Sequence, residues 1–221
     1  MNRKKNRTFA IIGLGNFGAT VASELVRFGN YVIGLDSDRK VVGHYAEKLS
    51  QAMVVDSRDE AALREAGVGD CDVALIAMGE NLESSVLTAI NLRMIGVPTV
   101  WAKAVSKSHH RILSKLGVDR IIHPEEEVGR HTAQVLHNPL VRDYVSLGNG
   151  FHVVSFRVPE SLEGRSVHEL KLRERHDLRC IGVMRGAEYL GDDGAPVTFA
   201  EQDRLLLLGT RQNLRDFAAT L

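Results

Sequence analysis

Short apolar strands alternate with segments of helical periodicity over the first 124 residues, and this alternation restricts the fold more than any other feature of the chain. The β-rich runs are TFAIIGLG (8–15), YVIGLD (31–36), AMVVD (52–56), VALIAMG (73–79), TVWAKA (99–104) and RIIHP (120–124). The helical segments between them are 18–28, 39–49, 60–66, 82–95 and 107–116. Strands that are apolar along their whole length and are separated by helices indicate a parallel sheet covered on both faces. The sequence therefore predicts an α/β fold with a Rossmann-like, doubly wound parallel sheet.

The pattern changes after about residue 140, where a second and smaller domain is expected. A helix over 125–137 begins with three glutamates, which suit a helix N-terminus, and a flexible break follows at Gly148-Asn149-Gly150. Beyond the break, short strands and helices indicate a small α+β lobe. The expected strands are 152–159, 179–186, 188–190, 196–199 and 203–210, and the expected helices are 166–172 and one from Arg211. We therefore divide the chain into an N-terminal domain (1–124), a crossover helix with a linker (125–148) and a C-terminal domain (149–221).

The first strand ends in Gly13-Leu14-Gly15-Asn16-Phe17-Gly18, which has the GxGxxG spacing of a dinucleotide-binding turn. The first glycine permits the tight turn, the second lets the backbone approach a phosphate, and the third lets the helix pack close to the sheet. Backbone N–H groups at the start of that helix then face the negative charge of a ligand. The spacing alone is a weak signal, but here it follows a strand, opens a helix and leads to Asp36 at the end of the next strand. The sequence thus predicts a nucleotide site, with a turn that keeps its shape without a ligand as the alternative.

Polar residues at the ends of the other strands extend the expected site. Asp36 can accept both ribose hydroxyls and would repel a 2′-phosphate, so NADP is disfavoured, although Arg39 is counter-evidence if it is not simply solvated. Asp56, which precedes Ser57, either bonds the adenine at this edge of the sheet or caps the next helix, and both alternatives stay open. Lys103 either leaves the carboxyl edge of the sheet toward the ligand crevice or is a surface lysine.

The charge balance and the cysteine content argue against several classes of function. Lys+Arg and Asp+Glu both number 28, so no basic excess indicates binding to nucleic acid. Cys71 and Cys180 form no CxxC pair, so neither a zinc site nor a disulfide framework is expected. No apolar run approaches the roughly 20 residues of a membrane helix, and the one behind the basic N-terminus is too short for a signal peptide. We therefore expect a soluble, cytoplasmic protein.

The sequence lacks the residue patterns by which a reacting nucleotide or a hydrolase would be recognised. No tyrosine is followed by a lysine four residues later, and HExxH and GxSxG are absent. His109-His110 at a helix start could contact a phosphate, whereas His123 is more typical of a strand end than of a catalytic base. About 70 residues remain after the N-terminal part, which is small for a complete catalytic domain. The sequence therefore favours a nucleotide that is sensed by a protein that is not an enzyme. The alternative is an NAD-dependent oxidoreductase or an NADH-sensing redox regulator.

Four segments carry a resemblance to a known family: AIIGLGNFG, VWAKA followed by His109-His110, LGVDRIIHPEEEVG, and LEGRSVHELKLRERHDLRCIGVMRG. Over nearly its whole length the chain resembles the RCK (regulator of potassium conductance) proteins of the KtrA/TrkA type. The resemblance implies an RCK-N (TrkA-N) domain followed by a small RCK-C (TrkA-C) domain. It also implies a regulatory subunit that binds ATP, ADP, NAD or NADH and whose dimers assemble into an octameric ring. The ring would dock on a membrane potassium-translocating subunit of the KtrB/TrkH type, at the inner face of the cell membrane, and the bound nucleotide would gate ion flux through the ring conformation.

The same resemblance assigns individual residues to ligands. The implied nucleotide contacts are Gly13, Gly15, Asn16, Phe17, Gly18, Asp36, Ser37, Asp38, Asp56, Ser57, Met78, Gly79, Glu80, Lys103, Ala104, Val105, His109 and Glu125. Glu125 would also bind Mg²⁺ or another divalent cation at a phosphate site shared between subunits, since a carboxylate near a polyphosphate needs a cation or a lysine to offset the repulsion. Arg173 and His176 are candidate contacts for cyclic di-AMP in the C-terminal lobe, with a charged helix end as the alternative.

Asn16 departs from the family pattern. Many proteins of the family carry an arginine at this position, where it contacts the terminal phosphates of ATP. Asparagine keeps the capacity for hydrogen bonding but loses the charge, and a charge-assisted hydrogen bond contributes about 1.5–3 kcal/mol against ~1 kcal/mol for a neutral one. We therefore expect weaker selectivity for ATP over ADP, or a different ligand such as NAD(H) or AMP.

Overall fold

The computed structural model describes residues 6–79, 81–191 and 197–221. The chain divides into two compact units, Met1–Glu125 and Glu126–Leu221. In the first unit, parallel strands form one sheet in the order β3-β2-β1-β4-β5-β6. The strands are β1 (Thr8–Ile12), β2 (Tyr31–Asp36), β3 (Gln51–Val54), β4 (Val73–Ile76), β5 (Thr99–Lys103) and β6 (Arg120–Ile122). The helices are α1 (Asn16–Arg27), α2 (Arg39–Tyr45), α3 (Glu60–Glu65), α4 (Leu82–Met94), α5 (Lys107–Lys115) and α6 (Pro124–His137), which continues into the second unit.

The central strands β1 and β4 are buried on both faces, which accounts for their nearly continuous apolar composition. Successive side chains of β1 point to opposite faces, so Ala10 and Ile12 pack in one apolar cluster while Ile11 packs in another. The predicted Rossmann-like sheet is therefore confirmed. Since the strand order reverses between β1 and β4, the ligand crevice of such a sheet lies at the carboxyl ends of these two strands.

The second unit contains an antiparallel sheet in the order β10-β9-β11-β8-β7, which confirms the predicted small α+β lobe. Its strands are β7 (Val141–Gly148), β8 (Phe151–Arg157), β9 (Arg179–Arg185), β10 (Glu188–Leu190) and β11 (Arg204–Thr210). Its core contains apolar side chains from the N-terminal and the C-terminal parts of the unit's sequence. Among them are Phe156 and Phe217, whose ring centroids are 5.9 Å apart. The helices are α7 (Leu172–His176) and α8 (Arg211–Ala218), and single 3-10 turns occupy Glu160–Leu162 and Val167–Leu170.

Two local predictions for this lobe were wrong. The helix expected over 166–172 is a 3-10 turn that ends at Leu170, because Lys171 adopts a left-handed conformation (φ 46°) before α7 begins. The strand expected over 196–199 is reduced to one bridge between Ser166 and Thr198, while Pro196 lies outside the described residues.

The segment 141–148, which we assigned to a linker, forms β7 and pairs with β8 along its length. The supposed flexible break is the tight turn of this hairpin, in which Gly148, Asn149 and Gly150 all have positive φ (85°, 50° and 80°). The strand was missed because its side chains are mostly exposed, so it lacks the buried apolar pattern of the other strands.

Among the helices of the described residues, none combines the length and the apolar character that crossing a membrane requires.

Candidate functional site

A cavity of about 720 Å³ lies at the carboxyl edge of the parallel sheet, which is within the range of small-molecule sites. Many of the residues predicted to bind a nucleotide line it together. They are Gly13, Gly15, Asn16, Phe17, Asp36, Ser37, Asp56, Ser57, Met78, Gly79, Lys103 and Glu125. The structure therefore brings the ends of β1, β2, β3, β4 and β5 to one cavity at the point where the strand order reverses.

The glycine-rich turn is shaped by two of its three glycines and left open by the third. Gly13 has φ 95°, a conformation that side chains disfavour, and a Cβ on Gly18 would collide with the carbonyl oxygen of Gly13. A Cβ on Gly15 would meet no atom within 4 Å, so the space above Gly15 is free for a ligand. Gly15 is also the N-cap of α1 and has no side chain with which to bond the first helical amides. Those amides are thus available to an anion.

The Asp36 carboxylate holds this turn in place. One of its oxygens accepts a hydrogen bond from the amide of Leu14 (2.8 Å) and the other from the amide of Asp38 (2.9 Å). Each carboxylate oxygen has a second lone pair, so Asp36 can still accept from the two hydroxyls of a ribose. Asp38 itself does not line the cavity, since its side chain caps α2 by accepting from the amide of Lys40 (2.7 Å).

Asp56 is bound by Arg58, which also lines the cavity and carries no nucleotide-site signal in the sequence. The guanidinium donates to both carboxylate oxygens of Asp56, with Nε at 2.9 Å from Oδ1 and Nη2 at 2.6 Å from Oδ2. This hydrogen bonding from Arg58 holds the pKa of the Asp56 carboxyl below its usual value. The alternative that Asp56 caps α3 was wrong, because Asp59 accepts from the amides at the start of that helix.

A buried polar network behind Ser57 fixes the turn that carries Asp56. The Ser57 hydroxyl lies 2.7 Å from that of Thr88, and the side-chain amide of Asn91 donates to the carbonyl oxygens of Ser57 and Arg58. Both partners belong to α4 and are buried. Helix α4 thus anchors the end of β3, and polar residues on an otherwise apolar helical face were the signal that could have revealed it.

Lys103 and Glu125 form an ion pair at the cavity, with 2.5 Å between Nζ and Oε1. The Lys103 side chain is largely buried, at 14% exposure, and its ammonium lies 5.9 Å from the centre of the Phe17 ring. Gly79 leaves room for this arrangement, because a Cβ there would lie 2.6 Å from Val105 and 3.3 Å from Lys103. The hydrogen bond from Lys103 keeps the pKa of the Glu125 carboxyl below its usual value. The cation required beside Glu125 is therefore supplied by a lysine of the same unit.

Glu125 does not form a metal site by itself. Across 6–79, 81–191 and 197–221, no group of three or more His, Cys, Asp or Glu side chains is placed to hold a metal ion. One carboxylate that is already paired with an ammonium does not match the several oxygen ligands of Mg²⁺.

Several predicted contacts do not line the cavity. His109 is fully buried, its Nε2 lies 3.1 Å from the hydroxyl of Ser85, and burial lowers its pKa. Ala104 is also buried, whereas Val105 is 52% exposed. Gly18 is also absent from the cavity lining, and Glu80 lies outside the described residues. The expected phosphate contact through His109 therefore has no support in its placement, because α5 turns this side chain into the core.

The two residues considered for cyclic di-AMP lie on α7 of the second unit. Arg173 is exposed, while the His176 ring packs edge-on against Phe217 with 5.2 Å between centroids. His176 thus has a packing role that its sequence position did not reveal.

Comparison with known protein families matches both parts of the chain. Residues 9–124 match the TrkA-N domain and residues 153–221 match the TrkA-C domain. Ktr system potassium uptake protein A of Bacillus subtilis (strain 168) is 30% identical over 217 residues, which cover 98% of each chain. Ktr system potassium uptake protein C of the same organism is 31% identical over 211 residues, which cover 96% of each chain.

Solved structures agree with the fold at lower identity. The GsuK RCK domain superposes with a TM-score of 0.68 at 15% identity, covering 99% of this chain and 48% of that one. The GsuK channel bound to NAD gives a TM-score of 0.65 at 15% identity, and the match covers 97% of this chain and 39% of that one. This chain therefore spans less than half the length of these structural relatives. With both domains matched and with relatives of 30% and 31% identity over nearly the full length, the chain belongs to the TrkA-N/TrkA-C family that includes the Ktr system potassium uptake proteins A and C.

Proposed function

We propose that this protein is a nucleotide-sensing, nonenzymatic regulatory subunit of a potassium uptake system. The observation that carries the proposal is the cavity at the strand-order reversal, which contains backbone amides, the Asp36 carboxylate and Lys103. None of the described residues that line this cavity is a histidine, a cysteine or a tyrosine, so no such acid or base is positioned beside a bound nucleotide. A binding site equipped in this way suits recognition better than reaction.

The ligand is an adenine nucleotide, ATP or ADP or else NAD(H). Asp36 would hold the ribose, the edge carrying Asp56 and Ser57 would hold the adenine, and Lys103 with the amides of α1 would hold the phosphates. Structures of the related GsuK fold are described as bound to NAD and to ADP, which favours the same class of ligand here. Cyclic di-AMP is a second proposed ligand, with Arg173 and His176 in the C-terminal lobe as its candidate contacts.

The switch we propose is competition for Lys103. Lys103 is paired with Glu125, the second residue of α6. A terminal phosphate would draw the ammonium into the cavity and release Glu125 at the start of α6. Further along, α6 belongs to the second unit, where Val135 packs on the core and His131 bonds the carbonyl of Tyr144. A ligand shifts such an equilibrium only through contacts that differ between the two states, and Lys103 provides one.

The assembly we propose is a ring of dimers, an octamer, docked on a membrane potassium-translocating subunit of the KtrB/TrkH type. The protein would then be cytoplasmic and peripheral at the inner face of the membrane. Exposed apolar residues such as Val128 (63%) and Leu136 (78%) on α6 suit contacts between subunits. A divalent cation belongs to this proposal only as a group shared between subunits near the phosphates, with Glu125 as one ligand.

The proposal is tested by calorimetric titration of the whole protein with ATP, ADP, AMP, NAD, NADH and cyclic di-AMP, with NADH absorbance and light scattering recorded on the same preparation. We expect saturable binding of an adenine nucleotide, a mass near that of an octamer and no consumption of NADH. Turnover of NADH that depends on a second substrate would instead establish the oxidoreductase alternative.

A further inference from the structure

Arginines from three neighbouring strands of the C-terminal lobe meet at one end of its sheet. Arg157, the last residue of β8, and Arg204, the first residue of β11, are direct cross-strand partners. Arg142 lies in β7 at the register irregularity between the Val141–Phe156 and Asp143–Ser155 pairs. Together with Gln202, these arginines border an open cavity of about 570 Å³. We call Arg142, Arg157 and Arg204 the arginine cluster.

The positive charge of the arginine cluster is not neutralised by carboxylates. Counting only the part of the chain that the structure describes, none of its members forms an ion pair, and the Arg204 guanidinium donates only to the carbonyl of Gly186 (3.3 Å). The exposed neighbour Glu201 forms no ion pair with the cluster either. By contrast Arg185, on the adjacent strand β9, is paired with the buried Asp203 at 2.8 Å. Like charges placed opposite each other across strands destabilise a sheet, so Arg157 and Arg204 destabilise this end of the lobe. Arg185 does not, because Asp203 neutralises it.

Gln202 adds a second unfavourable feature at the same cavity. Its φ of 64° lies in the left-handed region, which residues with a side chain rarely adopt. Backbone strain of this kind is found preferentially at binding sites, where the surrounding structure maintains it. The Gln202 side chain also brings an amide donor to the cavity.

We propose that the arginine cluster is a binding site for a phosphate-bearing anion. A guanidinium presents its N–H groups in a planar fork that matches two oxygens of one phosphate, and several such groups around one cavity suit a ligand with two or more negative charges. The size of the cavity suits a polyphosphate chain or a phospholipid headgroup. All residues of this site belong to the second unit, whereas those of the nucleotide cavity belong to the first. The inference therefore does not depend on the proposed function.

The test compares the full-length wild-type protein with the double variant Arg157→Gln, Arg204→Gln. The matched control is Arg179→Gln, because Arg179 is an exposed arginine of β9 that lies opposite Leu208, toward the other end of β11. Calorimetric titration with pyrophosphate should show a component that weakens at least roughly tenfold in the double variant and changes less than about twofold in the control. Binding of pyrophosphate to the nucleotide cavity is unaffected by either change and so does not confuse the comparison. Equal binding of pyrophosphate by wild type and double variant would exclude a soluble polyphosphate at the cluster. The proposal is then overturned unless lipid vesicles bind there, as tested next.

The vesicle arm identifies the source of the anion. The same proteins are floated with vesicles of phosphatidylglycerol and, separately, of phosphatidylcholine. Binding to phosphatidylglycerol that the double variant loses assigns a lipid headgroup, and binding of pyrophosphate alone assigns a soluble polyphosphate. The proposal is overturned if neither probe binds through the cluster, if the control loses binding equally, or if only an acidic peptide such as polyglutamate binds there. Circular dichroism checks the fold, and the double variant should melt no lower than wild type in the absence of anion, because it removes repulsion.

Discussion

At the scale of single residues, the nucleotide cavity contains two basic side chains among its described lining, and each is already bound to a carboxylate. Arg58 is held by Asp56 and Lys103 by Glu125. Asp36 is instead bonded by backbone amides. A phosphate that enters the cavity must therefore compete with Glu125 for the lysine. Under the proposed function, this competition makes the affinity for polyphosphate nucleotides depend on Glu125, which itself carries a negative charge.

Glu125→Gln should strengthen the binding of ADP measured without divalent cations. The change frees Lys103 for the phosphates. Because the Glu125 side chain is 66% exposed, the pair contributes up to about 1 kcal/mol, so roughly a 2- to 5-fold decrease in Kd is expected. Calorimetry measures it, with Glu126→Gln as the control at the next, also exposed, position. Weaker binding of ADP by Glu125→Gln under these conditions would contradict the competition.

Asn16→Arg should increase the affinity for ATP by roughly tenfold and leave that for AMP nearly unchanged. Asn16 is the first residue of α1 and lines the cavity, so a guanidinium there adds a charge-assisted bond that only a ligand with terminal phosphates can use. Calorimetric titration of both nucleotides into both proteins measures the difference. An unchanged ATP affinity would refute our explanation of this position.

Among the secondary-structure elements, the sequence predicted the strands whose side chains are buried and apolar. It did not predict the exposed strand or the ion pairs of individual side chains. The buried strands β1, β2 and β4 were predictable from their apolar runs, and the glycine turn from its spacing. The edge strand β7 was not, because exposed strands lack that pattern. The Asp56–Arg58 pair and the Lys103–Glu125 pair were missed for a related reason. The Asp56–Arg58 pair depends on side-chain rotamers, and the Lys103–Glu125 pair joins residues that are distant in the chain, and residue spacing records neither.

The turn that leads into β11 is held by one buried carboxylate. Asp203 is fully buried, receives the Arg185 guanidinium at 2.8 Å and accepts from the amide of Ala200 at 2.8 Å. Asp203→Asn should lower the free energy of unfolding by about 2–3 kcal/mol, less than for a fully buried pair because Arg185 is half exposed. Urea unfolding measures this, and the exposed neighbour serves as control, since Glu201→Gln should change stability by less than about 0.5 kcal/mol. Equal effects of the two substitutions would show that the pair does not hold the turn.

The same carboxylate predicts how stability depends on pH. Burial raises the pKa of Asp203, but the hydrogen bonds from Arg185 and Ala200 outweigh it, and the folded pKa lies below the ordinary value of 3.8. The unfolded chain therefore binds the proton more readily, so the contribution of Asp203 is present above the unfolded pKa and is lost as the pH falls through the folded one. In the wild type, the urea concentration at the unfolding midpoint should decrease as the pH drops below about 4. In Asp203→Asn this decrease should be less steep. Identical slopes would contradict the assignment.

At the scale of the whole molecule, the family membership and the cavity point to one role. The TrkA-N part contains the cavity, the TrkA-C part contains the antiparallel lobe, and α6 runs from Glu125 in the first unit into the second. A nucleotide that changes the Lys103–Glu125 pair acts at the start of the one helix that both units share. The proposed role therefore needs nothing from the nucleotide except its binding energy, which differs between two states.

The most direct test of this role is potassium flux. The potassium-translocating subunit proposed as the partner is reconstituted in vesicles with and without this protein. Potassium uptake is recorded with ATP, with ADP and with no nucleotide, while the nucleotide concentration is followed. We expect flux that depends on the protein, that differs between ATP and ADP, and that proceeds without net consumption of either. Flux that is the same with every nucleotide, or that advances only as nucleotide is consumed, would contradict the account.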